Sequence, residues 1–415
     1  MNAAIEQLFM SAAYHGDNER MQLLLDDEWV DIMATDHQGL TALFYAVLGD
    51  RHEIIISLLE RGGHDLVMAT AANNVTCLYV AAQNGNARAV SLLAETGGDD
   101  LLTTKTLDGC SALYIASQQG HLEVVQDLIA RSPALLQATA RNGFSCLHIA
   151  CQHGHLDVAE ALAKAGGAAL LHLPAKMHNS CLHVACQHGH EDIAEMLIRE
   201  GGEALLHLST EDDSRCEAHL HLRTENDDGN GRSALLLACQ EGHSAVVRTL
   251  LQAGGGGLLG RQGAVKCMKE ACRRGHTGVV EALLEARGEA LLDDRGTGQE
   301  QASCLEAACT GGHVGVVQAL LRTMGAALLH RTPTEAGACL RAACDSGHAD
   351  VAAELLGAAE KAGRAAMGRT RLACLAAAYR RGHAEIALVL LIAGESTGAL
   401  LNRRLRSGAA QQDLV

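Results

Sequence analysis

Residues 145–155 read Ser-Cys-Leu-His-Ile-Ala-Cys-Gln-His-Gly-His, and residues 180–190 read Ser-Cys-Leu-His-Val-Ala-Cys-Gln-His-Gly-His. The two stretches differ only where Ile149 faces Val184. Weaker copies keep the Gly-His pair at 120–121, 242–243, 275–276, 312–313, 347–348 and 382–383, and three divergent copies turn at Gly16, Asp50 and Gly85. Measured from turn to turn, the spacings are 34, 35, 35, 34, 35, 53, 33, 37, 35 and 35. Only the sixth breaks the rhythm. It equals one period plus an insertion of roughly eighteen residues, near Glu211 to Asp227. A fixed period of this length marks a stack of similar units rather than one globular core.

Each period reads as two helices. In the first, Leu147, Ala150 and Cys151 fall at i, i+3 and i+4, forming one apolar face. Gly154 follows, and a glycine there takes the left-handed conformation that closes a helix. In the second, Val124, Val125, Leu128 and Ile129 form the apolar stripe, repeated by Val246, Val247, Leu250 and Leu251. A Gly-Gly pair, as at 166–167 and 201–202, is expected to end many second helices. Helices of about ten residues are marginal alone in water, so each repeat must bury its faces against its neighbours.

This period and pattern resemble the ankyrin repeat, whose signature is T-P-L-H-x-A followed by G-H. The resemblance runs through nearly the whole chain and implies an all-α, helix-turn-helix solenoid of about eleven repeats with short finger loops. It departs from the family in three ways. The motif proline is Ala or Cys, as in Thr41-Ala42-Leu43 and Ser303-Cys304-Leu305. The motif histidine survives only at His148 and His183. After the second helix come runs such as Gly167-Ala168-Ala169-Leu170-Leu171, giving a period near 35 rather than about 33. The expected organisation is repeats 1–6 over residues 1–210, an acidic insertion over 211–227, repeats 7–11 over 228–402 and a tail over 403–415.

Composition narrows the function. Among 415 residues there are three Phe, five Tyr and one Trp, too few aromatics for the usual core of a large enzyme. Gly is abundant at 44 and Pro scarce at 3, so glycine supplies the turns. The formal net charge of −16 argues against nucleic acid, which requires a basic footprint. The segment from Met1 to Gly16 lacks a basic start followed by an apolar run, so no signal peptide is expected. The longest apolar run, Ala384 to Gly394, is too short for a bilayer. Cytoplasm is the expected location, with the nucleus as alternative, and no membrane insertion.

Thirteen of the fifteen cysteines fall at two fixed positions of the repeat. Seven (77, 146, 181, 267, 304, 339, 374) occupy the motif's proline position, and six (151, 186, 239, 272, 309, 344) the second small position of the first helix; Cys110 and Cys216 fall elsewhere. Within a repeat the two positions lie on different sides of a helix. Between repeats, like positions are expected at about 8–10 Å, beyond the ~7 Å a disulfide allows between Cα atoms. The reading is small buried thiols in a reducing compartment. His148 and Cys151, repeated as His183 and Cys186, form a zinc-type ligand set, but convergence on one ion would need side chains to cross the inter-repeat spacing. The resemblance implies hydrogen-bonded motif histidines instead, and the eight Gly-His imidazoles read as structural. No metal site, cofactor or catalytic nucleophile is expected, and there is no Walker A pattern or dinucleotide fingerprint.

The resemblance also implies where a partner binds. In such stacks the pair of residues before the turn glycine faces the groove. Carried over repeat by repeat, the candidates are Gln83, Asn84, Gln118, Gln119, Gln152, His153, Gln187, His188, Gln240, Glu241, Arg273 and Arg274. The finger tips add Arg141, Asn142, Phe144, Lys176 and Met177. Five adjacent repeats place a glutamine at one register position, and its amide both donates and accepts. The expectation is a monomeric, non-enzymatic scaffold or adaptor that binds a protein or peptide. Alternatives are a substrate-recruiting or regulatory subunit, such as of a ubiquitin ligase, and a metal-binding protein.

Overall fold

The eleven turn positions assigned from the spacing all bend the backbone the same way. Ten are glycines with φ between 74° and 91°, and Asp50 has φ 59°. One hydrogen bond closes every turn: the N–H of the residue after the turn position donates to a carbonyl five residues back, at 2.8 to 3.1 Å. The acceptor is alanine each time: Ala12, Ala46, Ala81, Ala116, Ala150, Ala185, Ala238, Ala271, Ala308, Ala343 and Ala378. Each is at most 1% exposed, so the turn is packed as well as bonded. This is the left-handed helix ending that satisfies a carbonyl the helix leaves open.

The structure, a computed structural model, describes residues 2–26, 30–176, 179–206, 233–258, 261–287, 299–324, 333–361 and 368–392. The 211–227 insertion, the 403–415 tail and Met177 lie outside them. First helices are Asn2–His15, Ala42–Leu48, Cys77–Gln83, Ala112–Gln119, Cys146–His153, Cys181–His188, Ala234–Glu241, Arg261–Arg274, Gln299–Gly311, Pro333–Ser346 and Gly368–Arg381. Second helices are Asn18–Leu25, His52–Val67, Ala87–Thr103, Leu122–Arg131, Leu156–Leu171, Glu191–Gly201, Ser244–Leu258, Thr277–Arg287, Val314–Met324, Ala349–Lys361 and residues 384–392. The chain divides into two compact units, Met1–Ala234 and Leu235–Val415. Inside each unit first helices pack on first helices and second on second, one repeat to the next. The result is an all-α repeat solenoid within each unit.

The apolar stripes fill the space between these layers. Leu147, Ala150 and Cys151 are buried, as are Val124, Val125 and Leu128 with Val246, Val247 and Leu250. Four first helices of the N-terminal unit start on a bonded hydroxyl cap: Thr76, Ser111, Ser145 and Ser180 each accept the N–H three residues on. Such a cap fills one of the donors left open at a helix start.

The Gly-Gly pairs do more than end the second helices. The second glycine of each pair, at Gly63, Gly98, Gly167 and Gly202, takes φ between 53° and 71°. A further helical turn then resumes and buries two apolar residues, Leu66 with Val67, Leu101 with Leu102, Leu170 with Leu171 and Leu205 with Leu206. The first glycine makes room for that turn. A β-carbon on Gly62, Gly97, Gly166 or Gly201 would lie 2.0 to 2.5 Å from the nearest side-chain atom of the leucine four residues later. This extra turn accounts for a period longer than the family's. In repeat 4 Pro133–Gln137 forms a 3-10 turn that buries Leu135 and Leu136 at the same place.

Short fingers connect the repeats of the N-terminal unit. One is a minimal hairpin, Thr70–Ala71 antiparallel to Val75–Thr76, and another is closed by a Thr139–Ser145 bridge. Compared with those of repeats 2 to 6, the first helices start earlier in repeats 8 to 11 of the C-terminal unit. Their first helices begin five or six residues before the motif, at Arg261, Gln299, Pro333 and Gly368. The reason is local composition. Segments such as Gln299-Glu300-Gln301-Ala302 are helix formers, and Pro333 stands at a first helical position, where its missing N–H costs nothing.

Candidate functional site

The pairs before each turn sit at the ends of first helices, and their backbone is tied to the next repeat. His121 Nε2 donates to the Gln83 carbonyl, His155 to Gln118, His190 to Gln152 and His276 to Gln240, at 2.9 to 3.1 Å. His313 and His348 reach Arg273 and Thr310 at 3.0 Å. In repeat 2, where arginine stands in place of the histidine, Arg51 Nε donates to the Tyr14 carbonyl at 2.9 Å, and in repeat 11 Arg381, two residues before His383, donates to the Asp345 carbonyl at 2.8 Å. These six Gly-His imidazoles are thus ties between repeats. Each ring also occupies the space beside the previous turn glycine. A β-carbon on Gly85, Gly120, Gly154, Gly242, Gly275 or Gly312 would lie 2.4 to 2.6 Å from it. Repeat 2 turns at Asp50, and there the following repeat carries Asn86, whose amide donates to the Asp50 carboxylate.

These ties fix the backbone under the candidate row. Gln83, Asn84, Gln119, His153, Gln187 and His188 are exposed, and Gln118 and Gln152 half-buried. Neighbouring repeats meet here, with Gln118 Nε2 3.5 Å from His153 Nε2. The rings of His153 and His155 stack at 6.2 Å between centroids, and those of His188 and His190 at 6.4 Å. Partial burial, with His155 and His190 nearby, holds His153 below the ordinary imidazole range.

Three candidates are placed differently from the expectation. Gln240 is 6% exposed, so its amide is covered, and it belongs to the C-terminal unit; the row of four glutamines belongs to the N-terminal unit. Phe144 is half-buried, not a solvent-facing anchor. It packs against Tyr114, Ala140 and Ile149 and lies 5.3 Å from the His148 ring, because burial of the finger base gives its apolar ring a better place than water. Asn142 is engaged in holding the finger: its Oδ1 accepts the Phe144 N–H at 2.9 Å and its side chain bonds Tyr114.

The fingers are joined in series. Backbone N–H groups of Ala72, Leu107, Arg141 and Lys176 donate to the carbonyls of Gln38, Asn73, Asp108 and Asn142 in the preceding finger. The side chains of Arg141 and Lys176 remain exposed. Glu241, Arg273 and Arg274 form a charged group, with Arg273 on Glu270 at 2.8 Å and Arg274 on Glu241 at 3.4 Å. Partly exposed pairs of this kind contribute little stability.

The motif histidines are hydrogen-bonded. Ser145 Oγ lies 2.8 Å from His148 Nδ1, and His148 Nε2 donates to the Asn179 carbonyl at 3.1 Å. Ser180 and His183 repeat the cap at 2.7 Å. The cysteines at the two register positions are buried. Comparing like positions missed one relationship, because the close approach is diagonal. The small-position cysteine of one repeat meets the proline-position cysteine of the next. Cys151 meets Cys181, Cys272 meets Cys304, Cys309 meets Cys339 and Cys344 meets Cys374, each pair in hydrogen-bond contact. Among the described residues no group of three or more His, Cys, Asp or Glu is placed to hold a metal ion, and no helix is long and apolar enough to cross a membrane.

A family model described as Ankyrin repeats (3 copies) matches residues 9–104, 62–135, 78–170, 113–207 and 168–258. Comparison with curated proteins returns no match.

Proposed function

The chain belongs to the ankyrin repeat family, whose repeats are protein–protein interaction modules, and we propose that it is a non-enzymatic scaffold that holds a partner protein or peptide. The binding surface is the row Gln83, Gln118, Gln152 and Gln187 with its neighbours Asn84, Gln119, His153 and His188, flanked by Arg141 and Lys176 on the fingers. The observation that carries this reading is the division of labour at the row. Histidines of the next repeat hold the Gln83, Gln118 and Gln152 carbonyls, so the backbone is fixed while amide and imidazole side chains stand at the surface. A surface ordered before binding loses little conformational entropy on contact, and glutamine amides suit the donors and acceptors of a peptide backbone.

The test is capture of partners by the full chain, identified by mass spectrometry, compared with a Gln152→Ala, His153→Ala, Gln187→Ala, His188→Ala variant. Capture is expected to weaken while circular dichroism keeps its helical signal. Undiminished capture with intact helicity would place the binding surface elsewhere.

A further inference from the structure

We propose that Cys344 and Cys374 are an oxidation site, in which a hydroperoxide joins the two thiols as a disulfide that ties repeat 10 to repeat 11. The pair is made by the stack. Cys344 lies in helix Pro333–Ser346 and Cys374 in Gly368–Arg381, and these helices pack against each other. Both thiols are free and buried, in hydrogen-bond contact across the interface. An S–S bond of about 2.05 Å forms when the two sulfurs close from that contact.

Three of the contacting pairs lie in the C-terminal unit, and their surroundings differ. Cys374 is held toward its thiolate, first by the hydrogen bond from Cys344 and then by the nearby Arg341, against burial and Asp345. Cys344 correspondingly keeps its proton. A hydrogen bond from a neighbouring thiol and a nearby guanidinium favour the thiolate, the form of cysteine that reacts once the site opens to solvent. In the N-terminal unit Cys181 is held in its thiol form, chiefly by burial. Access also favours repeat 11. Both thiols are themselves buried, so oxidation follows a local opening, and in repeat 11 Leu372, Tyr379, Leu388, Leu391 and Ile392 are each more than half exposed, leaving less apolar packing to oppose one.

The chemistry balances without a bound cofactor. The Cys374 thiolate attacks the terminal oxygen of hydrogen peroxide, breaking O–O and giving a sulfenic acid and hydroxide, which takes up a proton as water. Cys344 sulfur then attacks the sulfenic sulfur, forming S–S and releasing the second oxygen as hydroxide, which takes the Cys344 proton to leave as water. Two thiols lose two electrons and peroxide gains them. A small dithiol reverses the bond by exchange.

The experiment treats the full chain with hydrogen peroxide, denatures it, alkylates it and maps its peptides by mass. The expected result is a cross-linked peptide joining Cys344 to Cys374, lighter by two hydrogens and restored by dithiothreitol, formed before any Cys151–Cys181 cross-link. In Cys344→Ser, Cys374 is expected to stop at a sulfenic acid that dimedone traps. Should that variant fail to fold, the wild-type map decides. Alkylation of both cysteines as free thiols overturns the proposal. So does over-oxidised Cys374 beside free Cys344, or cross-linking of Cys151 to Cys181 at the same rate.

Discussion

His155 stands where a side chain on Gly120 would be. Its Nδ1 lies 2.5 Å from the position a β-carbon on Gly120 would take, and its Nε2 donates to the Gln118 carbonyl at 2.9 Å. Glycine in one repeat and histidine in the next are therefore one interaction. Gly120→Ala is strained by its φ of 79° and by the ring, at a cost of about 1–3 kcal/mol. His155→Ala loses a hydrogen bond and costs about 1 kcal/mol. Because the second change removes the obstacle met by the first, the double variant is expected to be more stable than the two losses added, with coupling of at least about 0.5 kcal/mol. Urea unfolding of the four proteins checks this, and strict additivity would refute it.

Glycines inside the second helices and the extended first helices separate by what surrounds them. Gly263 and Gly357 lie in helices with nothing within 4 Å of an added β-carbon, whereas Gly166 would meet Leu170 at 2.5 Å. Gly263→Ala and Gly357→Ala are each expected to stabilise by about 0.5–1 kcal/mol. Gly166→Ala is expected to destabilise by about 1–3 kcal/mol. Thermal melts that give all three the same sign would contradict the placement.

Thr41 occupies the cap position of Ala42–Leu48 without bonding through its side chain, and among the described residues its buried Oγ1 has no partner. Thr41→Val is therefore expected to stabilise by about 1 kcal/mol. Ser145, at the same place three repeats later, caps its helix and bonds His148, so Ser145→Ala is expected to cost about 1–2 kcal/mol. A loss at Thr41 as large as that at Ser145 would mean the Thr41 hydroxyl is bonded after all.

His153 is lowered from an ordinary value of 6.5, first by burial and then by His155 and His190. The unfolded chain thus takes up the proton before the folded one does. Its contribution leaves stability unchanged above the ordinary value and lowers it as pH falls below, until the folded state also protonates. The nuclear magnetic resonance titration of the His153 ring is expected to have its midpoint below 6.5, moving up in a His155→Gln, His190→Gln variant. A midpoint at or above 6.5 in the wild type would be the contrary result.

The sequence by itself determined the repeat. Helix closure by a left-handed residue is a local property, so the spacing of Gly-His pairs located all eleven turns, and 3.6-residue periodicity located the buried faces. It also placed the cysteines in two register columns. Relations across the stack needed the tertiary structure, because they depend on which residue of one repeat meets which of the next. Gly-His looked like a turn followed by a helix start, yet the histidine is fixed by a carbonyl 37 residues upstream in the case of His155 and Gln118. Like cysteines looked too far apart, yet unlike ones touch, since packing between neighbouring helices is diagonal. Phe144 looked exposed because finger tips are polar, but Tyr114 and Ile149 offered its ring a nearer apolar surface. The early helix starts of repeats 8 to 11 were written in helix-forming residues such as Gln299-Glu300-Gln301-Ala302, a local propensity that the repeat register alone does not reveal.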